Sequence, residues 1–254
     1  MRLLFLVTGI FALTSTSIAQ NKQNSYSAQG TEPKILQTAF KKDTFNIVRY
    51  GAKADGIFLN TSAINKAIAD CNRKGGGVVV IPPGFWLTGF VLLQSNVNLH
   101  LQKNALLQFT NDFNQYPIVE GNWEGVPQMR NQSPLSASNV ENIAITGFGI
   151  IDGWGDAWRM VKKDKLTESQ WKNLVASGGV LSADKKTWYP SEKTQKGATM
   201  DNPGAIKPGK TAKDYEAIKD FLRPNMLVLT SCNKVLLEGV QKRELILPKL
   251  RVFN

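Results

Sequence analysis

Histidine occurs once in this chain and cysteine only twice. With His100 alone, no imidazole cluster can be assembled for a metal. Its setting, Leu99-His100-Leu101, is an apolar alternation that suits a structural side chain. Cys71 and Cys232 lie far apart in sequence. An exported protein could pair them, but separate buried thiols are the preferred reading, because a disulfide demands close and specific geometry. Beyond the N-terminus no stretch approaches the roughly 18 apolar residues that a membrane-spanning helix needs. No compact arginine-rich or aromatic-interleaved segment is present, which points away from nucleic acid as a partner. Glycine is clustered at Gly75-Gly76-Gly77, but after an expected helix. A phosphate-cradling loop must precede one, so that the helix N-terminal amides face the anion.

Acidic side chains are also scarce. Lys and Arg exceed Asp and Glu by 31 to 20, leaving a formal charge of +11. A basic protein favours anionic partners, acidic polysaccharide among them, but a solvated basic surface accounts for the charge equally well. The lysine pairs at 41–42, 162–163 and 185–186 fall in different segments. A hydrophobic fraction of 42% supports a packed core rather than global disorder.

The chain opens with Arg2, an apolar run from Leu3 to Leu13, small polar residues and Ser17-Ile18-Ala19. That order is a secretory signal peptide over residues 1–19, with cleavage after Ala19, and it places the product in the periplasm or outside the cell. Residues 20–42 are polar, lack periodicity and read as a linker. Order is expected from Phe45-Asn46-Ile47-Val48 onward. A helix follows, with Ala63, Ile64, Ala67, Ile68 and Cys71 as its buried stripe, Asn60, Thr61 or Ser62 as its cap and the three glycines at its end.

Three later segments share a frame. Ser95-Asn96-Val97 leads into Leu99 and Leu101. Ser138-Asn139-Val140 leads into Ile143, Ile145 and Gly147, and Ser231-Cys232-Asn233 into Val235, Leu237 and Gly239. Each puts a turn before alternating aliphatics, which is the mark of a repeated unit. Short strands recurring without helices between them suggest a parallel β-helix, whose turns stack about 4.8 Å apart. An antiparallel sandwich also has short strands and turns, and the shared frame favours the solenoid. Residues 153–222 interrupt the repeat. They hold two expected helices, "TESQWKNLVASG", with a Thr167–Gln170 capping box, and "TAKDYEAIKDFL", joined by the loop-like "WYPSEKTQKGATMDNPGAIKPGK". Such an insertion is either functional or a solvated decoration.

The segments "FNIVRYGAKADG", "GGGVVVIPPGFWLTG", "SNVENIAITGFGIIDGWG" and "FLRPNMLVLTSCNKVLLEGV" resemble the polygalacturonase family of pectin-degrading glycoside hydrolases over residues 45–240. The insertion resembles that of a bacterial subgroup. The resemblance implies an all-β, right-handed parallel β-helix over 43–240, with an N-terminal helical cap, that hydrolyses galacturonan-type bonds in pectic polysaccharide without a cofactor. The opening segment is shared with pectate-lyase-like and tailspike β-helices.

The family's catalytic motifs, Asn-Thr-Asp, Asp-Asp, Gly-His-Gly and Arg-Ile-Lys, are absent from this sequence. His100 lies far upstream of where Gly-His-Gly belongs, and Asn60-Thr61 is followed by Ser62. Asp152, in "IIDGWG", reads as a turn former. No catalytic, substrate-binding or metal-binding residue is therefore assigned by the resemblance, and the chain alone is expected to be inactive. After Val240 the basic tail "QKRELILPKLRVFN" (241–254) departs from the family pattern, which implies a frameshift or premature stop, or else a genuine tail that caps the coil. An incomplete coil would expose its last rung and associate through its strand edges. Two other functions remain open: a non-catalytic carbohydrate-binding or structural β-helix, and a pectate-lyase-like lyase acting by elimination, often with calcium.

Overall fold

The computed structural model of the chain describes residues 37–243 and 251–253. The expected signal peptide, most of the expected linker and Pro248 lie outside the described residues.

Strand β1 (Thr44–Asn46) and helix α1 (Thr61–Arg73) open the fold. The first turn of a coil follows as β2 (Gly77–Ile81), β3 (Gly84–Thr88) and β4 (Val91–Leu92). The second comprises β5 (Val97–Leu101), β6 (Ala105–Phe109), an excursion carrying the antiparallel hairpin β7 (Ile118–Trp123) and β8 (Val126–Asn131), and then β9 (Leu135–Ser138). The third comprises β10 (Glu141–Gly147), β11 (Ile150–Asp152), a long arm and β15 (Leu227–Thr230). The arm holds β12 (Val161–Lys162), β13 (Val180–Leu181) and β14 (Thr187–Tyr189), which form a small antiparallel sheet, and helices α2 (Glu168–Ala176) and α3 (Glu192–Ala198). A fourth turn contains β16 (Asn233–Glu238), β17 (Gln241–Arg243) and β18 (Arg251–Phe253).

Stacked turns build three parallel sheets. The first face is β1-β2-β5-β10-β16, the second β17-β11-β6-β3, and the third β18-β15-β9-β4. This is the expected parallel β-helix. The ladder fixes which side chains meet. Val79, Leu99, Ile145 and Leu237 are in register on the first face, Trp86, Leu107 and Ile151 on the second, and Val91, Leu135 and Leu227 on the third. These columns point inward and merge into one apolar core. Strands β17 and β18 extend the second and third faces by parallel pairing with β11 and β15.

The register corrects the frame read from the sequence. Asn96 does not stack on Asn139. The pairing of Asn98 with Ala144 brings Asn96 beneath Asn142, whose Nδ2 donates to Asn96 Oδ1 at 3.0 Å. Asn139 instead stacks on Ser231, next to the Ser138–Thr230 pair. The corner is two residues longer in the later turns: Leu92 to Val97 in the first becomes Ser136 to Ile143 in the second. An even insertion keeps inward residues inward, so the core tolerates it. Asn96, Asn142 and Lys234 all adopt left-handed backbone, as do Asn139 and Ser231. Asparagine suits such corners because its short side chain bonds locally there. Asn142 also holds the chain ahead of β1, accepting from Ala39 N–H (3.0 Å) and donating to Ala39 O (2.7 Å).

Helix α1 buries the predicted stripe against the core. Asn60 occupies its cap position but makes no side-chain capping bond. Fully buried, its amide instead accepts from Lys53 N–H and donates to the carbonyls of Lys53, Phe58 and Leu87. It thereby fastens the loop before α1 to β3. Cys71 and Cys232 are buried free thiols, and burial pushes the Cys71 thiol up to about 11.

Helix α2 has the expected capping box between Thr167 and Gln170. The second expected helix is a 3-10 run, Ala212–Phe221. At three residues per turn it sets Tyr215, Ile218 and Phe221 along one edge, where they pack with Leu222 on Ile118 and Met129 of the hairpin. Helix α3 falls inside the stretch read as loop. Ser191 caps it, and Gly197 lets it press on the Phe221 ring, where any side chain would collide. Buried Asn131 on β8 completes the docking of the arm by donating to the carbonyls of Lys219 (2.7 Å) and Leu222 (3.0 Å).

Asn60→Ala removes four buried hydrogen bonds and should cost about 2–4 kcal/mol, read from the urea unfolding midpoint. Asn131→Ala should loosen the arm without disturbing the coil. Protease cleavage between residues 199 and 211 should accelerate while the far-ultraviolet dichroism stays unchanged. Unaltered cleavage would mean that the apolar cluster alone holds the arm.

Candidate functional site

Both excursions leave the coil at the corner between the second and third faces, after β6 and after β11, and return at β9 and β15. They rise beside the outward side of the third sheet. Strand alternation sends Val91, Leu135 and Leu227 into the core and leaves Leu92, Ser136 and Val228, which are in register, facing out. Those side chains, with Ser138 and Thr230, form part of the lining of a groove of about 790 Å³. The hairpin contributes Val119 to Trp123, Pro127 and Arg130 to Asn131, and the returning arm contributes Arg223, Pro224 and Asn225.

The hairpin turn is Glu124-Gly125, both in left-handed backbone, with Gly125 N–H donating to Asn122 Oδ1 at 2.8 Å. Two consecutive left-handed residues match the twist of a tight hairpin. The resulting register pairs Val119 with Arg130 and Trp123 with Val126, so Val119, Gly121 and Trp123 share a face with Arg130. Gly121 presents no side chain between them. The Arg130 guanidinium lies over the Trp123 ring, 3.9 Å from its centre. Arginine stacks well on aromatic faces because its charge is delocalised and weakly hydrated.

Electrostatically the groove is unbalanced. Burial, and then the neighbouring Arg223, pull Arg130 down from its ordinary value to about 10, with Glu124 opposing. Arg223 is lowered by its own burial and then by Arg159. Arg130 Nε and Asn225 Oδ1 are buried without a hydrogen-bond partner among the described residues. Two partly desolvated cations that act on each other are costly, and a bound anion would offset that cost.

The lining holds one carboxylate, Glu120. Inverting hydrolysis of a glycosidic bond calls for two, roughly 6.5–9.5 Å apart around a water. The lining of the described groove thus holds one of the two carboxylates that such chemistry needs.

The residues singled out in the sequence lie elsewhere. On the outer side of the first sheet, His100 Nδ1 is 2.8 Å from Thr146 Oγ1, whose proton goes to Asn98 Oδ1 (2.9 Å). Asp152 accepts from Trp154 N–H at 2.8 Å and from Gln108 Nε2 at 3.1 Å, so it shapes the turn that leads into the arm. Thr61 Oγ1 accepts from Gly89 N–H at 2.5 Å. No group of three or more His, Cys, Asp or Glu among the described residues could hold a metal ion. Sequence reading missed Trp123 and Arg130. The pattern "IVEGNWEGVPQM", two strand-like runs about Glu-Gly, carried the signal for their hairpin.

The family model described as rhamnogalacturonase A/epimerase, pectate lyase-like, matches residues 44–202. An exo-poly-alpha-D-galacturonosidase of Dickeya chrysanthemi is 32% identical over 216 residues, which are 75% of this chain and 34% of that protein. A probable polygalacturonase of Vitis vinifera is 32% identical over 122 residues, 44% of this chain and 25% of its own length. The chain thus spans about a third or less of these relatives. Among solved structures, a hyperthermoactive exopolygalacturonase of Thermotoga maritima superposes with a TM-score of 0.54 at 24% identity, covering 82% of this chain and 43% of that one, and so shares the right-handed β-helix. The family model covers well over half of the chain, and the resemblance to polygalacturonases seen in the sequence is upheld: this protein belongs to the rhamnogalacturonase A/epimerase family of pectate-lyase-like β-helices.

Proposed function

We propose that the chain forms the polysaccharide-binding part of an exported polygalacturonase-type glycoside hydrolase. Its ligand is galacturonan in pectic polysaccharide, and the described residues do not themselves cleave it. The observation that supports this most directly is the groove on the third sheet, cationic at Arg130 and Arg223 and furnished with a single carboxylate. A polyanionic sugar chain complements that charge, and the net charge of +11 adds long-range attraction. Export is supported by the order of residues 1–19, and no helix among the described residues is long and apolar enough to cross a membrane. The relatives named above as galacturonosidase and polygalacturonase support the sugar class. The expected inactivity of the chain rests on the absence of the family's catalytic motifs from its sequence.

A second reading, a carbohydrate-binding β-helix with no hydrolytic role, is favoured by the lone Glu120.

Affinity electrophoresis of the full chain tests the proposal. Polygalacturonate in the gel should retard it, neutral galactan should not, and added salt should weaken the retardation as screening grows. A reducing-end assay on polygalacturonate should stay flat. Equal mobility in both gels would sink the binding assignment. Release of reducing ends would overturn the claim of inactivity, and an ultraviolet-absorbing unsaturated product would turn the assignment to a lyase.

A further inference from the structure

We propose that Arg130 and Arg223 are the pair that reads the acid group of the sugar: the groove seats a uronate carboxylate between the Arg130 fork, which lies over the Trp123 ring, and the guanidinium of Arg223. This assignment rests on the groove being the polysaccharide site, and it names the residues that give that site its selectivity.

Four features of the groove support the pair. Both arginines line the same cavity, one from the hairpin and one from the returning arm. Arg130 is pre-organised, because its guanidinium already rests 3.9 Å from the centre of the Trp123 ring, so less side-chain freedom is lost when a ligand arrives. Arg130 Nε is buried and has no acceptor among the described residues, so part of its fork is left for a ligand. Cations act on both side chains, Arg223 on Arg130 and Arg159 on Arg223, while Glu124 opposes at Arg130 and Glu120 is the acid of the lining. A planar carboxylate matches the fork, accepting parallel N–H bonds that are stronger than neutral ones. A methyl ester of the same sugar offers no charge and leaves both cations unsatisfied, so the site should reject it.

A purely structural role for Arg130 makes the opposite prediction for stability. If the guanidinium held the hairpin together, removing it would lower the melting temperature. If it is kept for an absent anion, Arg130→Met relieves a desolvated cation while retaining apolar contact with Trp123. The ligand-free variant should then melt at or above the wild-type temperature.

The test uses the full chain, polygalacturonate and its fully methyl-esterified form, with dissociation constants measured by titration calorimetry. Wild type should favour the acidic polymer. Arg130→Met and Arg223→Gln should each weaken acidic-polymer binding about tenfold to a hundredfold, with little change for the ester. Arg130→Lys, which keeps the charge and loses the fork, should fall between. Should Arg130→Met fail to fold, Arg223→Gln and Arg130→Lys carry the same comparison. If wild type prefers the acidic polymer and these variants bind it undiminished, the pair assignment is wrong and the groove's role stands. Equal losses for acid and ester, or a lower melting temperature for Arg130→Met with unchanged binding, also overturn the assignment. If wild type binds neither polymer, the reading of the groove fails and this assignment with it.

Discussion

Parallel stacking is the constraint on which everything else in this molecule depends. Each turn satisfies its backbone through the turn above and the turn below, and the register is common to three faces. An apolar residue therefore helps the core only if its counterparts one turn away are also apolar, as in the Val79, Leu99, Ile145, Leu237 column. Corners inherit the same demand. A side chain at Gly147 would run into the carbonyl of Leu101, and one at Gly239 into that of Gly147, so the backbones there approach too closely for anything but glycine. Asn96 and Asn142 meet a related requirement in left-handed backbone and join their amides directly.

The coil tolerates additions at its corners and not within its strands, and the two excursions use that freedom. Both depart between the second and third faces, so segments far apart in sequence come to lie side by side over one sheet. Their mutual packing is a second, smaller core: Ile118 and Met129 from one, Tyr215, Ile218 and Leu222 from the other. Alternation along β8 then does two jobs at once. Met129 faces that core while Arg130 takes its place over Trp123 in the groove. The arm is more than a solvated decoration: it is one of the elements that shape the groove.

The groove holds two partly buried arginines that act on each other. Exposed acids elsewhere pair with nearby bases, as Asp214 does with Lys210 and Glu168 with Lys163. Bringing two half-buried like charges together opposes the compact state, so their proximity calls for a reason beyond folding. On the proposed function, an anionic ligand would supply that reason, in keeping with the net charge of +11.

Much of the fold was legible in the sequence. The turn-plus-aliphatic frames gave the coil, the three-and-four spacing gave α1, and the Thr167–Gln170 pair gave the start of α2. All of these are local patterns set by backbone sterics and by side-chain periodicity. The offset between Asn96 and Asn139 was not legible, because a corner lengthened by two residues leaves the inward alternation of each strand intact and only the ladder reveals it. Nor was the 3-10 geometry of Ala212–Phe221, which is set by the edge it must present to the hairpin. The groove belongs wholly to tertiary structure. Trp123 and Arg130 meet across a hairpin, and Arg223 joins them only because one turn of the coil stacks on the next. Desolvation and the proximity of like charges, which give those side chains their chemistry, exist only after that stacking has occurred.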